Sequence, residues 1–244
     1  MKVAVLSDIH GNMQALMSVV EDIENNNCEK VFCLGDLAMA GPEPAKVINY
    51  VKNQKNWVVI QGNTDKMIAD FSPEILNNTE KAFPVMAHAL VEDVLFLSDE
   101  EKSYLKNLPP QKELSLEGVK ILLVHGSPRR NNEDILPDMP LDKLEEIIKD
   151  TDADLILCGH THVPAGYQTN TKQTVVNVGS VGRPMTQDPK ACYCVIDIKN
   201  GTFSLEHRFV DYDREKAAKI MRSHNFDGAE KLAEMILHPT SRHC

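Results

Sequence analysis

The sequence predicts an α/β protein built largely on parallel strands, and three observations predict it. Through the first half, short apolar runs alternate with helical patterns. Several of these runs end near a glycine, beside a residue able to bind a cation. The second half then changes to closely spaced strands joined by tight turns. A βαβαβ order implies parallel strands with right-handed crossovers.

The elements follow in order. Val3–Leu6 reads as a strand and Asn12–Asn25 as a helix, with Leu16, Val19, Val20 and Ile23 at helical spacing. Val31–Leu34 is the next strand, Pro44–Gln54 a helix and Trp57–Gln61 a third strand. Residues 64–107 show no convincing strand and read as helical, broken near Pro73 and Pro84, as a cap beside the sheet. Val119–Val124 and Leu155–Cys158 are buried strands separated by a helix over Leu141–Lys149. Strands are then expected at Gly166–Thr169, Thr174–Val178, Cys192–Ile198 and Thr202–Phe209. The Asn-Gly of "KNGT", Lys199–Thr202, predicts a type I′ hairpin turn. Helices over Arg214–Ser223 and Gly228–Leu237 fill the C-terminal region, about 213–238. No repeat or linker interrupts the chain, so one domain over 1–244 is expected.

A hydrophobic content of 42% with 25% charged residues fits a soluble globular protein. The net charge of −10 argues against an extended nucleic-acid surface. It is compatible with a small phosphate ester as substrate, because a bound cation can dominate the local field. Asp8 interrupts the first apolar run, unlike a signal peptide, and the apolar run Ala82–Val91 is about half the ~20 residues that span a bilayer. A cytoplasmic protein without a membrane partner is expected; oligomeric state stays open. Cys28, Cys33, Cys158, Cys192, Cys194 and Cys244 form no CxxC pair and read as reduced thiols.

The strand ends carry the chemistry. The first strand runs into "SDIHGN", which offers Asp8 and His10 two residues apart; in an extended chain such residues face the same way. "VFCLGD" delivers Asp36, "WVVIQGNTD" Asn63, "KILLVHGSP" His125, and "LILCGHTH" both His160 and His162. Parallel strand ends lie along one edge of a sheet, so these groups can converge. Seven groups exceed the needs of one tetrahedral zinc. They suit two divalent ions sharing a carboxylate, ~3.5–4 Å apart, as in hydrolytic two-metal sites. Mixed carboxylate, imidazole and amide ligation favours manganese, iron or zinc over calcium. Manganese is the first expectation, with nickel or cobalt as further alternatives. Asn63 can offer a neutral carbonyl oxygen to metal and an NH₂ to phosphate.

The order D-x-H, G-D, G-N, H-G, G-H-T-H resembles the calcineurin-like metallophosphoesterase superfamily. "NVGSVGRPMTQDPKACYCVID", Asn177–Asp197, further resembles its small bacterial and archaeal phosphodiesterase branch, often labelled diadenosine-tetraphosphatase-like. The resemblance implies a four-layer α/β/β/α sandwich of two mixed sheets flanked by helices. It implies that Asp8, His10, Asp36 and His162 hold one metal, and Asp36, Asn63, His125 and His160 the other. Asp36 would bridge, and a metal-bridging hydroxide would attack phosphorus.

One position departs from the pattern. Many members read G-N-H-[DE], with the histidine protonating the leaving group; here "GNTD" places Thr64 there, beside Asp65. Threonine is no general acid near neutral pH. Candidate substrate contacts are Asn12 at a helix start, Asn63 itself, Arg129 after "HGSP" and Arg183 in "GSVGRP". His88 lies in a helical apolar stretch and is a candidate to enter the cleft from the cap, while His207, His224, His238 and His243 lack motif context. The leading expectation is a dinuclear phosphodiesterase. Alternatives are a phosphoprotein phosphatase, a dinucleoside-polyphosphate hydrolase, or a non-catalytic interaction scaffold, which the intact ligand set disfavours.

Overall fold

The computed structural model describes residues 1–241, so His243 and Cys244 lie outside the described residues. The chain runs β1 (Lys2–Leu6), α1 (Met13–Asn25), β2 (Lys30–Cys33), α2 (Pro44–Lys52) and β3 (Trp57–Val59). Four helices follow: α3 (Asn63–Ala69), α4 (Pro73–Ala82), α5 (Pro84–Phe96) and α6 (Asp99–Asn107). Next come β4 (Gln111–Leu116), β5 (Val119–Val124), α7 (Leu141–Ile148), β6 (Leu155–Cys158), β7 (Ala165–Gln168) and β8 (Thr174–Asn177). The hairpin β9 (Ala191–Lys199) and β10 (Thr202–Val210) precedes α8 (Arg214–Arg222) and α9 (Ala229–Leu237).

These strands form two mixed sheets, ordered β10-β9-β1-β2-β3 and β4-β5-β6-β8-β7. In the first, β1, β2 and β3 are parallel, and β9 runs antiparallel to β1. In the second, β5, β6 and β8 are parallel, with β4 and β7 as antiparallel edges. Period-two side chains explain the layering. Val3, Val5, Phe32 and Leu34 face Ile121, Leu123, Leu155 and Leu157 across the gap between the sheets. Ala4, Leu6, Val31 and Cys33 turn the other way, onto α1, α2 and the C-terminal helices. Leu122, Val124, Ile156 and Cys158 pack on Leu144, Ile147 and Ile148 of α7. Strands buried on both faces need near-continuous apolar sequence, which is why these runs were readable. Three cores separate four layers, α/β/β/α.

Two expectations change. The candidate ligands do not lie along one sheet edge: β1–β3 belong to one sheet, β5 and β6 to its partner, and the carboxyl ends of both sheets meet. Residues 111–116, for which the sequence predicts no element, form the strand β4. It is a mostly exposed edge strand, "QKELSL", with only Leu114 and Leu116 turned to the inter-sheet core. The turn into β5 is Glu117–Gly118, with φ of 49° and 88°; Asn200–Gly201 between β9 and β10 has φ of 52° and 75°. Two positive φ values define the type I′ class expected of Asn-Gly. The two tips touch, Gly201 N–H donating to Glu117 O at 2.7 Å.

Helices α3–α6 fill residues 63–107. Ser72 caps α4 through Ile75 N–H, and Pro73 and Pro84 open α4 and α5, where a missing N–H costs nothing. Among the described residues no helix is long and apolar enough to cross a membrane.

Candidate metal centre

The loops after β1, β2, β5 and β6, together with the start of α3, place six of the seven expected groups within direct reach of another. Asp8, His10 and His162 form one cluster of mutually close ligand atoms, and Asp8, Asp36 and His125 another. Asp8 Oδ1 lies 3.2 Å from His162 Nε2, 3.8 Å from His125 Nε2 and 3.9 Å from His10 Nε2. Asp36 Oδ2 lies 3.4 Å from His125 Nε2 and 3.6 Å from His10 Nε2. Both carboxylates thus stand between the clusters. Asn63 Oδ1 is 2.9 Å from His125 Nε2. His160 packs edge-on against His125, with ring centroids 5.3 Å apart, and its backbone N–H donates to Asp8 Oδ2 at 3.0 Å.

Local geometry differs from the extended chain assumed for Asp8 and His10. Strand β1 ends at Leu6, and Asp8 and His10 have φ of 56° and 45°. Asp36, His160 and His162 share this left-handed backbone, at 55°, 66° and 62°. The loops are stitched together: Asp8 N–H donates to Gly35 O, His10 N–H to Asp36 O, and Gly182 N–H to Asp8 O, each at 2.9–3.0 Å. Two glycines make room. A Cβ at Gly62 would stand 2.0 Å from Asp36 Oδ1, and one at Gly159 2.5 Å from Asp8 Oδ2.

Three imidazoles are oriented in the same way. Nδ1 faces a backbone carbonyl in His10 (Met39 O, 2.9 Å), His125 (Leu34 O, 2.8 Å) and His162 (Arg183 O, 2.6 Å). A carbonyl only accepts, so Nδ1 carries the proton and Nε2 points into the site, the tautomer of a metal-ligating histidine. His10 Nε2 and His162 Nε2 approach to 3.2 Å. Asp8 Oδ1, fully buried, receives no hydrogen bond among the described residues. The unprotonated Nε2 atoms of His10 and His162, crowded beside an orphaned carboxylate oxygen, fit a cation.

Electrostatics agree. Burial works to raise the Asp8 and Asp36 carboxyls, but the facing histidines hold both well below the usual range. Burial and neighbouring His162 push His10 down to about 4. At His125 burial is overridden by Asp36 and Asp8, which push the imidazole up to about 10. A pair of buried carboxylates strong enough to keep a proton on His125 is strong enough to favour a metal cation there.

The surrounding residues differ in fate. Asp65 accepts from Asp36 N–H, Leu37 N–H and Gly62 N–H at 2.8–3.0 Å, fixing the loop that carries Asp36. Thr64 donates its hydroxyl to Ala38 O at 3.1 Å, and its N–H to Asp36 Oδ1 at 2.9 Å. Arg183 lines the site pocket, and its buried Nε has no partner among the described residues. Arg129 does not line it; Glu133 holds its guanidinium, with Nη2 to Oε1 at 2.6 Å. Asn12 is spent on structure, capping α1 through Ala15 N–H and donating to Gly182 O. His88 turns away to a separate groove beside His224, its Nδ1 2.8 Å from Asp227 O, so it does not enter the cleft. Sequence reasoning missed Asp134, 3.4 Å from His160 Nε2, and Asn177, whose amide donates to Gly159 O and Thr161 Oγ1. Asp134 sits in an irregular loop with no periodic signal.

Comparison with known proteins gives relatives of the same fold. A protein of Methanocaldococcus jannaschii, itself uncharacterised, is 30% identical over 238 residues, 91% of this chain and 92% of that protein. The crystal structure of a hypothetical protein from Pyrococcus horikoshii aligns with a TM-score of 0.86 at 26% identity, covering 98% of this chain and 99% of that one. A metallophosphoesterase from Sphaerobacter thermophilus shares the fold, with a TM-score of 0.77, 23% identity and 98% coverage of each chain. The family model for the calcineurin-like phosphoesterase superfamily domain matches residues 1–201, and the chain belongs to that superfamily.

Proposed function

We propose that this protein is a two-metal phosphodiesterase. The observation that carries the reading is the convergence of three imidazole Nε2 atoms on Asp8 and Asp36, each ring locked by a backbone carbonyl. Asp8, His10, Asp36 and His162 would hold one ion, and Asp36, Asn63, His125 and His160 the other, with manganese the ion to test first. When bound, such ions lower the pKa of water toward neutrality and offset charge on the phosphoryl oxygens.

The chain's own groups do the rest. Among the described residues Arg183 is the one Lys or Arg side chain lining the pocket, and its guanidinium can face a phosphate oxygen. Thr64 cannot protonate a leaving group, because its hydroxyl already donates to Ala38 O. Apart from the ligand set and Arg183, no titratable side chain lines the pocket among the described residues. Good leaving groups are therefore favoured.

The test begins with protein stripped by chelator and reloaded with Mn²⁺. Bis(p-nitrophenyl) phosphate is expected to be hydrolysed only after reloading, with kcat/KM above that of p-nitrophenyl phosphate. Across substituted phenyl and alkyl diesters the rate is expected to depend steeply on leaving-group pKa. Thr64→His should flatten that dependence, since a general acid contributes roughly 10²–10⁴-fold. Preference for the monoester, or for a phosphopeptide, would replace the diesterase reading with a phosphatase one.

A further inference from the structure

The pocket at the ligands has a volume of about 710 Å³, and its lining is of two kinds. His10, Asp36, Asn63, His160, His162 and Arg183 form a polar floor. The α3–α5 segment and the loop after β8 add Met67, Ile75, Phe83, Met86 and Met185, alongside the smaller polar Thr64, Asn78 and Thr79. Phe83 sits between α4 and α5, where Pro84 opens the next helix, and is 67% exposed. Its exposed ring is placed to stack against an aromatic group bound in the pocket. The guanidinium of Arg183 joins the two kinds of lining, its Nη1 lying 3.3 Å from Met86 Sδ.

This arrangement reads as two adjoining subsites. A phosphate can be held at the floor by Arg183 and the ligand set. One arm of the ester then has to lie along the methionine and phenylalanine side. Thioethers are flexible and polarizable, and they pack favourably against aromatic rings; an exposed phenylalanine stacks with another ring. We infer that the α3–α5 side of the pocket is a subsite for the aromatic group of a phosphate ester, a nucleobase or an aryl ring carried on the non-departing arm. The inference rests on the phosphodiesterase reading but adds to it the substrate's second determinant. It also gives the α3–α5 segment a role that the metal ligands alone do not require.

The experiment fixes the leaving group and varies the other arm. Metal-loaded protein is given p-nitrophenyl diesters whose second arm is methyl, cyclohexylmethyl, benzyl or thymidine-5′-yl. Benzyl and thymidine arms are expected to exceed methyl by about tenfold in kcat/KM, as expected when one ring leaves water. The greater of the two identifies the aromatic source. Phe83→Ala is expected to shrink the benzyl-to-methyl ratio several-fold; being exposed, Phe83 can be truncated without opening the core. Equal rates for methyl and benzyl would overturn the subsite, and parity of cyclohexylmethyl with benzyl would overturn its aromatic character. Binding is read separately, by calorimetry with phenylphosphonate against methylphosphonate, where phenylphosphonate is expected to bind about tenfold more tightly. Absence of all hydrolysis would reject the diesterase reading, while the phosphonate ratio would still decide the subsite.

Discussion

The two ends of the paired sheets both rely on left-handed backbone, but they use it with different residues. At one end, the hairpin tips place Glu117–Gly118 and Asn200–Gly201 there, so glycine or asparagine takes three of the four positions. These residue types accept positive φ at little cost. At the other end the same conformation is imposed on Asp8, His10, Asp36, His160 and His162. Aspartate and histidine reach it more readily than most residues with side chains but less readily than glycine, at a cost of up to roughly 1–2 kcal/mol each. The turn end thus follows local preference, whereas the site end opposes it and is held by the bonds between loops. Strain of this kind clusters where geometry serves chemistry.

The largest effect should come from removing charge at the strained end. Asp36→Asn keeps shape but halves the carboxylate charge shared by His10 and His125. Diester hydrolysis is expected to fall by ~10³-fold or more, with metal content reduced. Retention of full activity and metal would show that Asp36 is dispensable.

A paired substitution sharpens the contrast in stability. Gly201→Ala meets no atom within 4 Å, yet has φ of 75°, so it should cost about 1 kcal/mol in denaturant melts while hydrolysis is unchanged. His10→Asn should do the reverse. Asparagine accepts the left-handed backbone and can donate to Met39 O, so stability in chelator should hold or rise by up to about 1 kcal/mol, with metal binding impaired. A loss of several kcal/mol in His10→Asn would mean that the site end is not strained in the way described.

Much of this was legible in the sequence, for a definite reason. Strands buried on both faces leave unbroken apolar runs, so the polar residue ending each run stands out, as with Asp36 after "VFCLG" and His125 after "KILLV". The family resemblance then supplied the four layers. Other features had no such signal. Strand β4 is mostly exposed and polar, so its sequence carries only a weak alternation. The left-handed backbone of Asp8 and His10 comes from bonds to the neighbouring strand's loop, which no i, i+2 rule contains. Arg129 and Arg183 look alike in sequence. Glu133, four residues on, occupies the first, and only tertiary placement brings the second to the pocket.

The smallest expected effect concerns pH. Asp93 accepts from Met39 N–H at 2.8 Å and so helps hold Met39, another left-handed residue, with φ of 77°. Burial, reinforced by Glu92 and opposed by the Met39 bond, pushes the Asp93 carboxyl up to about 7. Its folded pKa therefore exceeds the unfolded value, and the folded protein binds more protons between them. Stability from this group is present below about pH 4 and is lost as pH rises toward 7. Asp93→Asn, neutral throughout, should show a shallower decline over that window in melts done in chelator. An unchanged slope would assign the effect to other groups.

The central claim is that Asp8, His10, Asp36, Asn63, His125, His160 and His162 together hold two ions. The direct measurement is metal stoichiometry: stripped protein titrated with Mn²⁺ by calorimetry, with bound metal counted per chain after removal of excess. Two ions per chain are expected in the unaltered protein, and no more than one in His125→Ala. A single ion in the unaltered protein, or two retained after His125→Ala, would contradict the account.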